Sequence, residues 1–332
     1  MKIRSLCLFF TILLSVYNLH AQNPLQFASL GNFKLVSGES IEDCKIAYRA
    51  YGTLNAEKSN VILAPTWFSG TSEQLKNSLR MMIDSTRFYV ILVDALGNGV
   101  SSSPTNSKKQ KGKKFPKFTI EDMVNSQYKM LTEKLQINHL YAVIGTSMGG
   151  MQTLQWTVSY PNFMDKAISI VGTPKQSFND LLLWKSELQP IEDAENAKEE
   201  KEAMRTVALV HALNLLSSSY RNAQTVDFQT FTDKEMANMS KLNPLNWASQ
   251  LRAMMAHDIY KIVPKGQIKE KLKAKMLLVY SLQDMMVNPQ ASIELADLLQ
   301  NERLELKGNC GHLAPSCEGA EVLKAVKEFL QR

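Results

Sequence analysis

Tyr141-Ala142-Val143-Ile144-Gly145-Thr146-Ser147-Met148-Gly149-Gly150-Met151-Gln152-Thr153-Leu154 is the stretch that decides the fold. An apolar run enters Gly145 without a charged interruption, and a helix-competent segment opens at Met148. A strand that turns at once into a helix crowds its own backbone, and small residues two before and two after Ser147 relieve that crowding. The turn lifts the serine side chain above the sheet and aims the unpaired N–H groups of the helix start at the same place.

Working outward, further apolar runs bounded by turn residues read as short buried strands at 61–68, 88–96, 140–145, 166–171, 275–281 and 303–307. Their hydrophobicity is continuous rather than alternating, which suggests a mostly parallel sheet with helices on both faces, an α/β fold. Residues 33–36 and 44–48 read as an antiparallel pair at the sheet edge, and helices are expected near 121–135, 148–160, 291–299 and 320–330. Residues 175–274 interrupt the alternation and are rich in helix formers, so they read as a helical cap inserted into a core formed by 22–174 and 275–332. A cap there would roof the strand ends, where open parallel sheets bind ligands.

The 332 residues, 45% hydrophobic, are long enough to bury a large core. Lys2 and Arg4 precede an apolar run from Leu6 to Tyr17, and Ala21 offers a small residue before Gln22, so residues 1–21 read as a signal peptide. The run is shorter than the about 20 apolar residues of a spanning helix, so no stable membrane anchor is expected, and the chain is expected to be exported to the periplasm or secreted. Loss of Lys2 and Arg4 lowers the formal charge from +6 to +4. That modest charge is not gathered on one helix, and nucleic acid is excluded as an expected partner. The lysines of Lys108 to Lys117 read as a solvated loop. Past the signal segment the cysteines are Cys44, Cys310 and Cys317, and export permits a bridge between the two that flank His312; buried free thiols are the alternative. No cysteine or histidine spacing matches a zinc site, and neither metal nor cofactor is expected.

Ser147 thus stands in the context of a nucleophile elbow, and a serine hydroxyl needs a base. Of His139, His211, His257 and His312, only His312 follows a strand at the same sheet end, in Gly308-Asn309-Cys310-Gly311-His312. Asp284, directly after the 275–281 strand, completes the chain order Ser, Asp, His and would hold the imidazole tautomer. Asp94, before the serine, reads as part of a structural turn with Gly97, Gly99 and Ser101. The oxyanion donors expected are the N–H groups of Met148 and, from the loop after the 61–68 strand, Phe68. Met254, Met255, Met285 and Met286 suggest an adaptable apolar pocket.

The elbow with Met151-Gln152 after its glycines, the 88–96 strand, the 246–258 segment with Leu251-Arg252-Ala253-Met254, and the loops of Asp284 and His312 together resemble the homoserine O-acetyltransferase family over most of the chain. The resemblance implies the α/β-hydrolase fold with a helical cap, a triad of Ser147, Asp284 and His312, and an acyl-enzyme passed to an acceptor. It also implies substrate contacts near Tyr220-Arg221 and directly after the catalytic histidine. Two departures follow: the arginine expected seven residues before the tyrosine is Leu213, and the aspartate expected after His312 is Leu313. Leucine at both places removes the partners for an amino acid's charged ends, whose burial unpaired costs several kcal/mol. Acyl-CoA is a cytosolic donor, so an exported chain is expected to use water as acceptor and a small acyl ester as substrate. Transfer to homoserine or another acceptor, a catalytically inactive binding protein, and assembly as a homodimer stay open.

Overall fold

The structure, a computed structural model, describes residues 24–224 and 226–332; the expected signal segment 1–21 lies outside the described residues. An antiparallel pair comes first, β1 (Gln26–Lys34) and β2 (Ser40–Tyr51). They are followed by β3 (Val61–Pro65), α1 (Ser72–Leu79), β4 (Tyr89–Val93), α2 (Ile120–Lys129), β5 (Leu140–Thr146), α3 (Met148–Ser159) and β6 (Met164–Ile170). The chain then leaves the sheet for α4 (Phe178–Asp193), α5 (Ala197–Leu215), α6 (Ser218–Asn222), α7 (Phe228–Met239), α8 (Pro244–Met255) and α9 (Ile268–Lys271). It returns through β7 (Lys275–Ser281), α10 (Gln290–Leu299), β8 (Glu302–Leu306), α11 (Ala314–Cys317) and α12 (Gly319–Gln331).

Among the described residues the strands form one sheet in the order β1-β2-β4-β3-β5-β6-β7-β8. Only the pairings β1–β2 and β2–β4 are antiparallel. The parallel strands other than the edge strand β8 are buried on both faces, and alternate residues feed two separate cores. Leu63, Val143 and Ala167 enter one, with α2 and α3. Ile62, Ile144 and Ile168 enter the other, with α1 and α12. Each such aliphatic side chain contributes about 1.5–3 kcal/mol of hydrophobic stabilisation. Because β3 and β5 to β8 run in parallel, the loops that leave them emerge at one edge of the sheet, and residues 66–70, Ser147, Asp284 and His312 therefore share that edge.

Several elements differ from their sequence reading. β1 starts at Gln26 and ends at Lys34, and β2 runs well beyond residues 44–48, because strands with one face open to solvent need only alternate apolar residues and so leave no continuous run. The 121–135 helix closes in a π turn over Met130–Lys134. The 61–68 strand stops at Pro65, after which Thr66 turns to bond the loop that follows β4, donating its N–H to Val93 and accepting through Oγ1 from the N–H of Ala95.

Candidate active site

Ser147 sits between β5 and α3 at φ 56° and ψ −121°, a left-handed conformation that costs a non-glycine residue of order 1–3 kcal/mol. Its N–H donates to the carbonyl of Ile170 at 2.8 Å. The flanking glycines are required by close approach: a Cβ at Gly145 would lie 2.1 Å from the carbonyl oxygen of Gly149, and one at Gly149 would lie 2.6 Å from that of Pro65.

His312 Nε2 lies 2.8 Å from Ser147 Oγ, and His312 Nδ1 lies 2.6 Å from Asp284 Oδ2. The second carboxylate oxygen of Asp284 accepts the N–H groups of Met286 and Val287, both at 2.9 Å. The aspartate is thereby fixed in rotamer by its own loop. That loop is itself tied to α4, because Asp180 Oδ1 accepts the N–H of Asn288 at 3.0 Å. Burial, with Asp284 close by, pushes the Asp180 carboxyl above the usual carboxylate range. Chain order had suggested Ser147, Asp284 and His312 as one set, and the fold brings these three together.

Met148 opens α3, so its N–H has no carbonyl one turn back to bond. Among the described residues the N–H of Phe68 also has no protein acceptor. Both residues are buried, and Phe68 lines the same cavity as Ser147. A buried amide chain holds their two segments in register. Gln152 Nε2 donates to the carbonyls of Thr66 and Met148 at 3.0 and 3.3 Å, Gln127 Nε2 donates to Gln152 Oε1 at 2.7 Å, and Trp156 Nε1 donates to Gln127 Oε1 at 2.8 Å.

The cavity above Ser147 has a volume of about 420 Å³. Trp67, Phe68 and Met82 line it from the loops and helix after β3, Trp184, His211, Leu215 and Met254 from the inserted helices, and Met286, His312, Leu313 and Pro315 from the other two loops. Among the described residues its lining includes no Asp, Glu, Lys or Arg.

Several expected contacts are placed elsewhere. Leu213 is 64% exposed and does not line the cavity; α5 presents His211 and Leu215 instead, one turn apart on a face that position 213 does not share. Tyr220 packs against the α12-side core, and Arg221 donates to the carbonyl of Ala212 and lies 4.9 Å from the ring centroid of Phe231, so neither is among the lining residues. Met254 and Met286 reach the cavity, whereas Met255 and Met285 do not. Leu313 does line it, beside His312. His211, set aside as a base in the sequence, lines the cavity all the same, and Trp67 and Trp184 join it without a sequence signal, since it is the packing of the inserted helices on the loops that closes this wall.

The other candidates have structural partners. Asp94 is buried and accepts from the N–H of Ser72 and the amide of Asn98, and burial raises its carboxyl. His139 pairs with Asp165 on the surface. His257 is buried against the carbonyl of Thr173, and burial lowers it to about 4. Cys310 and Cys317 form a disulfide that brackets His312, while Cys44 stays a buried thiol pushed up to about 12 by burial. In the lysine-rich loop, Lys109 pairs with Glu42 and Asp43, and Lys113 with Glu200. Among the described residues no cluster of three or more His, Cys, Asp or Glu could hold a metal ion, and no helix is long and apolar enough to cross a membrane.

Comparison with known proteins gives a match over residues 61–316 to the family model described as the alpha/beta hydrolase fold. An ethyl acetate hydrolase of Pseudomonas veronii is 38% identical over 172 residues, covering 51% of this chain and 49% of that protein. A homoserine O-acetyltransferase of Methanosalsum zhilinae is 28% identical over 351 aligned positions, covering 90% of this chain and 70% of the other. The crystal structure of an acetylester hydrolase from Corynebacterium glutamicum superposes with a TM-score of 0.86 at 25% identity, covering 93% of this chain and 96% of that one. The chain spans about half the length of the curated esterases that it matches.

Proposed function

The chain belongs to the alpha/beta hydrolase fold family, and we propose that it is a serine-dependent hydrolase of esters with small acyl groups. The observation that carries this reading is the hydrogen-bonded run Ser147 Oγ, His312, Asp284, at 2.8 and 2.6 Å, on the wall of a largely apolar cavity.

In this mechanism His312 Nε2 takes the hydroxyl proton as Ser147 Oγ attacks the ester carbonyl. Asp284 accepts from Nδ1–H and stabilises the imidazolium. The N–H groups of Met148 and Phe68 receive the developing oxyanion, an interaction worth about 3–4 kcal/mol of barrier for each donor. His312 then returns the proton to the leaving alcohol, and an alkoxide-free acyl-enzyme remains on Ser147. Water then gives a proton to the same Nε2 as it attacks the acyl carbon, and His312 returns that proton to Ser147 Oγ as the bond to the acyl carbon breaks and the acid leaves.

Water is the acceptor on this reading because, among the described residues, the cavity lining offers no partner for the two charged ends of an amino acid acceptor. Its lining holds no carboxylate for an ammonium group and no guanidinium or ammonium for a carboxylate, and Leu313 stands directly beside the base. Bringing homoserine's two charges into such a place would cost several kcal/mol. The likeness to an ethyl acetate hydrolase and an acetylester hydrolase supports the same choice.

We also read residues 175–274 as a cap on the core and residues 1–21 as an export signal, with the chain acting in the periplasm or outside the cell. The Cys310–Cys317 disulfide supports an oxidising compartment. The discriminating experiment supplies the purified chain with ethyl acetate in water and, separately, with acetyl-CoA and homoserine. Hydrolysis of the first without acetylation in the second is expected; efficient homoserine acetylation would replace this reading with acyl transfer, the second reading favoured by the long match to a homoserine O-acetyltransferase.

A further inference from the structure

Two imidazole–carboxylate pairs belong to this site, and the mechanism uses only one. The second comes wholly from the inserted helices. His211 on α5 places Nδ1 3.0 Å from Oε1 of Glu187 on α4. The Glu187 side chain is fully buried, and its Oε2 has no partner. His211 lines the cavity with Ser147 and His312, its ring 5.1 Å from that of Trp247 and 6.4 Å from that of Phe68. Its Nε2 has no protein partner among the described residues and, unlike Glu187 Oε2, is not fully buried.

Such a pair is an expensive way to fill an aromatic surrounding. A buried carboxylate loses several kcal/mol of hydration, and two hydrocarbon side chains of similar volume would hold α4 against α5 at lower cost. What hydrocarbon cannot supply is an oriented polar atom in an otherwise apolar wall. Glu187 can only accept when ionised, so it fixes the proton on Nδ1 and leaves Nε2 to the cavity.

We propose that His211, held by Glu187, hydrogen-bonds a hydroxyl on the alcohol part of the ester, which makes short acyl esters of diols and polyols the substrate class. The inference rests on the ester-hydrolase reading. A hydroxyl suits the site in either state of the ring: it donates to Nε2 of the neutral imidazole and accepts from Nε2–H of the imidazolium. His211 is thus a positioning and specificity residue, remote from the proton transfers of His312.

The test compares kcat/KM for 2-hydroxyethyl acetate and propyl acetate, which differ by a hydroxyl in place of a methyl. The double variant Glu187→Met/His211→Phe removes the buried charge together with its partner and keeps a ring against Trp247. The wild-type chain is expected to favour the hydroxyl ester about tenfold, the worth of one well-formed hydrogen bond, and the ratio is expected to fall close to one in the variant. If the pair only fastened α4 to α5, both rates would fall alike and the ratio would persist, which overturns the proposal. Should the double variant not fold, Glu187→Gln/His211→Phe removes the imidazole and leaves a neutral amide in place of the buried charge, and it is likewise expected to bring the ratio close to one; an unchanged ratio overturns the proposal equally. Wild-type protein that turns over neither ester would overturn the ester-hydrolase reading and this inference with it.

Discussion

Gln152 Nε2 donates to the carbonyl of Thr66 across the gap between α3 and the loop that follows β3. The same amide nitrogen reaches the carbonyl of Met148, so one buried side chain sets the distance between the two segments whose N–H groups are assigned to the oxyanion. Gln152→Met keeps the volume and removes the tie. We expect kcat to fall about 10- to 100-fold with a smaller change in KM, since oxyanion donors act in the transition state and a misplacement near 1 Å is enough. Stability should fall by about 1–3 kcal/mol, because the amide of Gln127 is left buried without its acceptor. Steady-state kinetics and urea unfolding measure the two effects separately.

Asp284→Asn isolates the role of the carboxylate. The amide oxygen can still accept from Met286 and Val287, so the loop and the fold should persist. The amide nitrogen then donates toward His312 Nδ1 and selects the tautomer that cannot accept the serine proton. Ester hydrolysis is expected to drop about 10⁴-fold with an unaltered melting temperature. A loss below about tenfold would mean that His312 needs no partner to act as base.

Ser147→Gly tests the strain at the elbow. Glycine adopts φ 56° without a steric penalty, so the variant should be inactive and more stable by about 1–2 kcal/mol. An upward shift of the urea midpoint at constant slope is the expected record.

A buried histidine that does not line the cavity gives a pH signature of its own. His257 is held neutral with its acidity shifted to about 4, against 6.5 in the open chain. Between those values the unfolded chain binds a proton that the folded chain does not, so stability is full above pH 6.5 and declines as the pH falls towards 4. The decline from this group is about 3 kcal/mol. In His257→Gln, which keeps a donor for the Thr173 carbonyl, that part of the acid dependence is expected to vanish; an identical acid profile in both proteins would show that His257 titrates normally.

Much of the fold could be read because a strand covered on both faces carries an uninterrupted apolar run, as in 140–145 and 275–281. Ser147 and Asp284 could be grouped for the same reason, since each follows such a run, and His312 joins them because parallel strands send their loops to one edge. The antiparallel strands β1 and β2 are harder to read because one exposed face hides half of the pattern. The cavity wall was harder still. Leu213 was placed by counting back from Tyr220, but a helix shows its neighbour only one face, and the structure turns His211 and Leu215 inward. Glu187 and His211 stand 24 residues apart on different helices, and nothing local in either segment signals that they meet.

The most direct measurement is the intact mass of the protein after exposure to a fluorophosphonate, with Ser147→Ala treated in parallel. We expect one phosphonyl group per wild-type chain, located on Ser147, and none on the variant. An unmodified wild-type chain, or a variant labelled to the same extent, would contradict the assignment of Ser147 as an activated nucleophile.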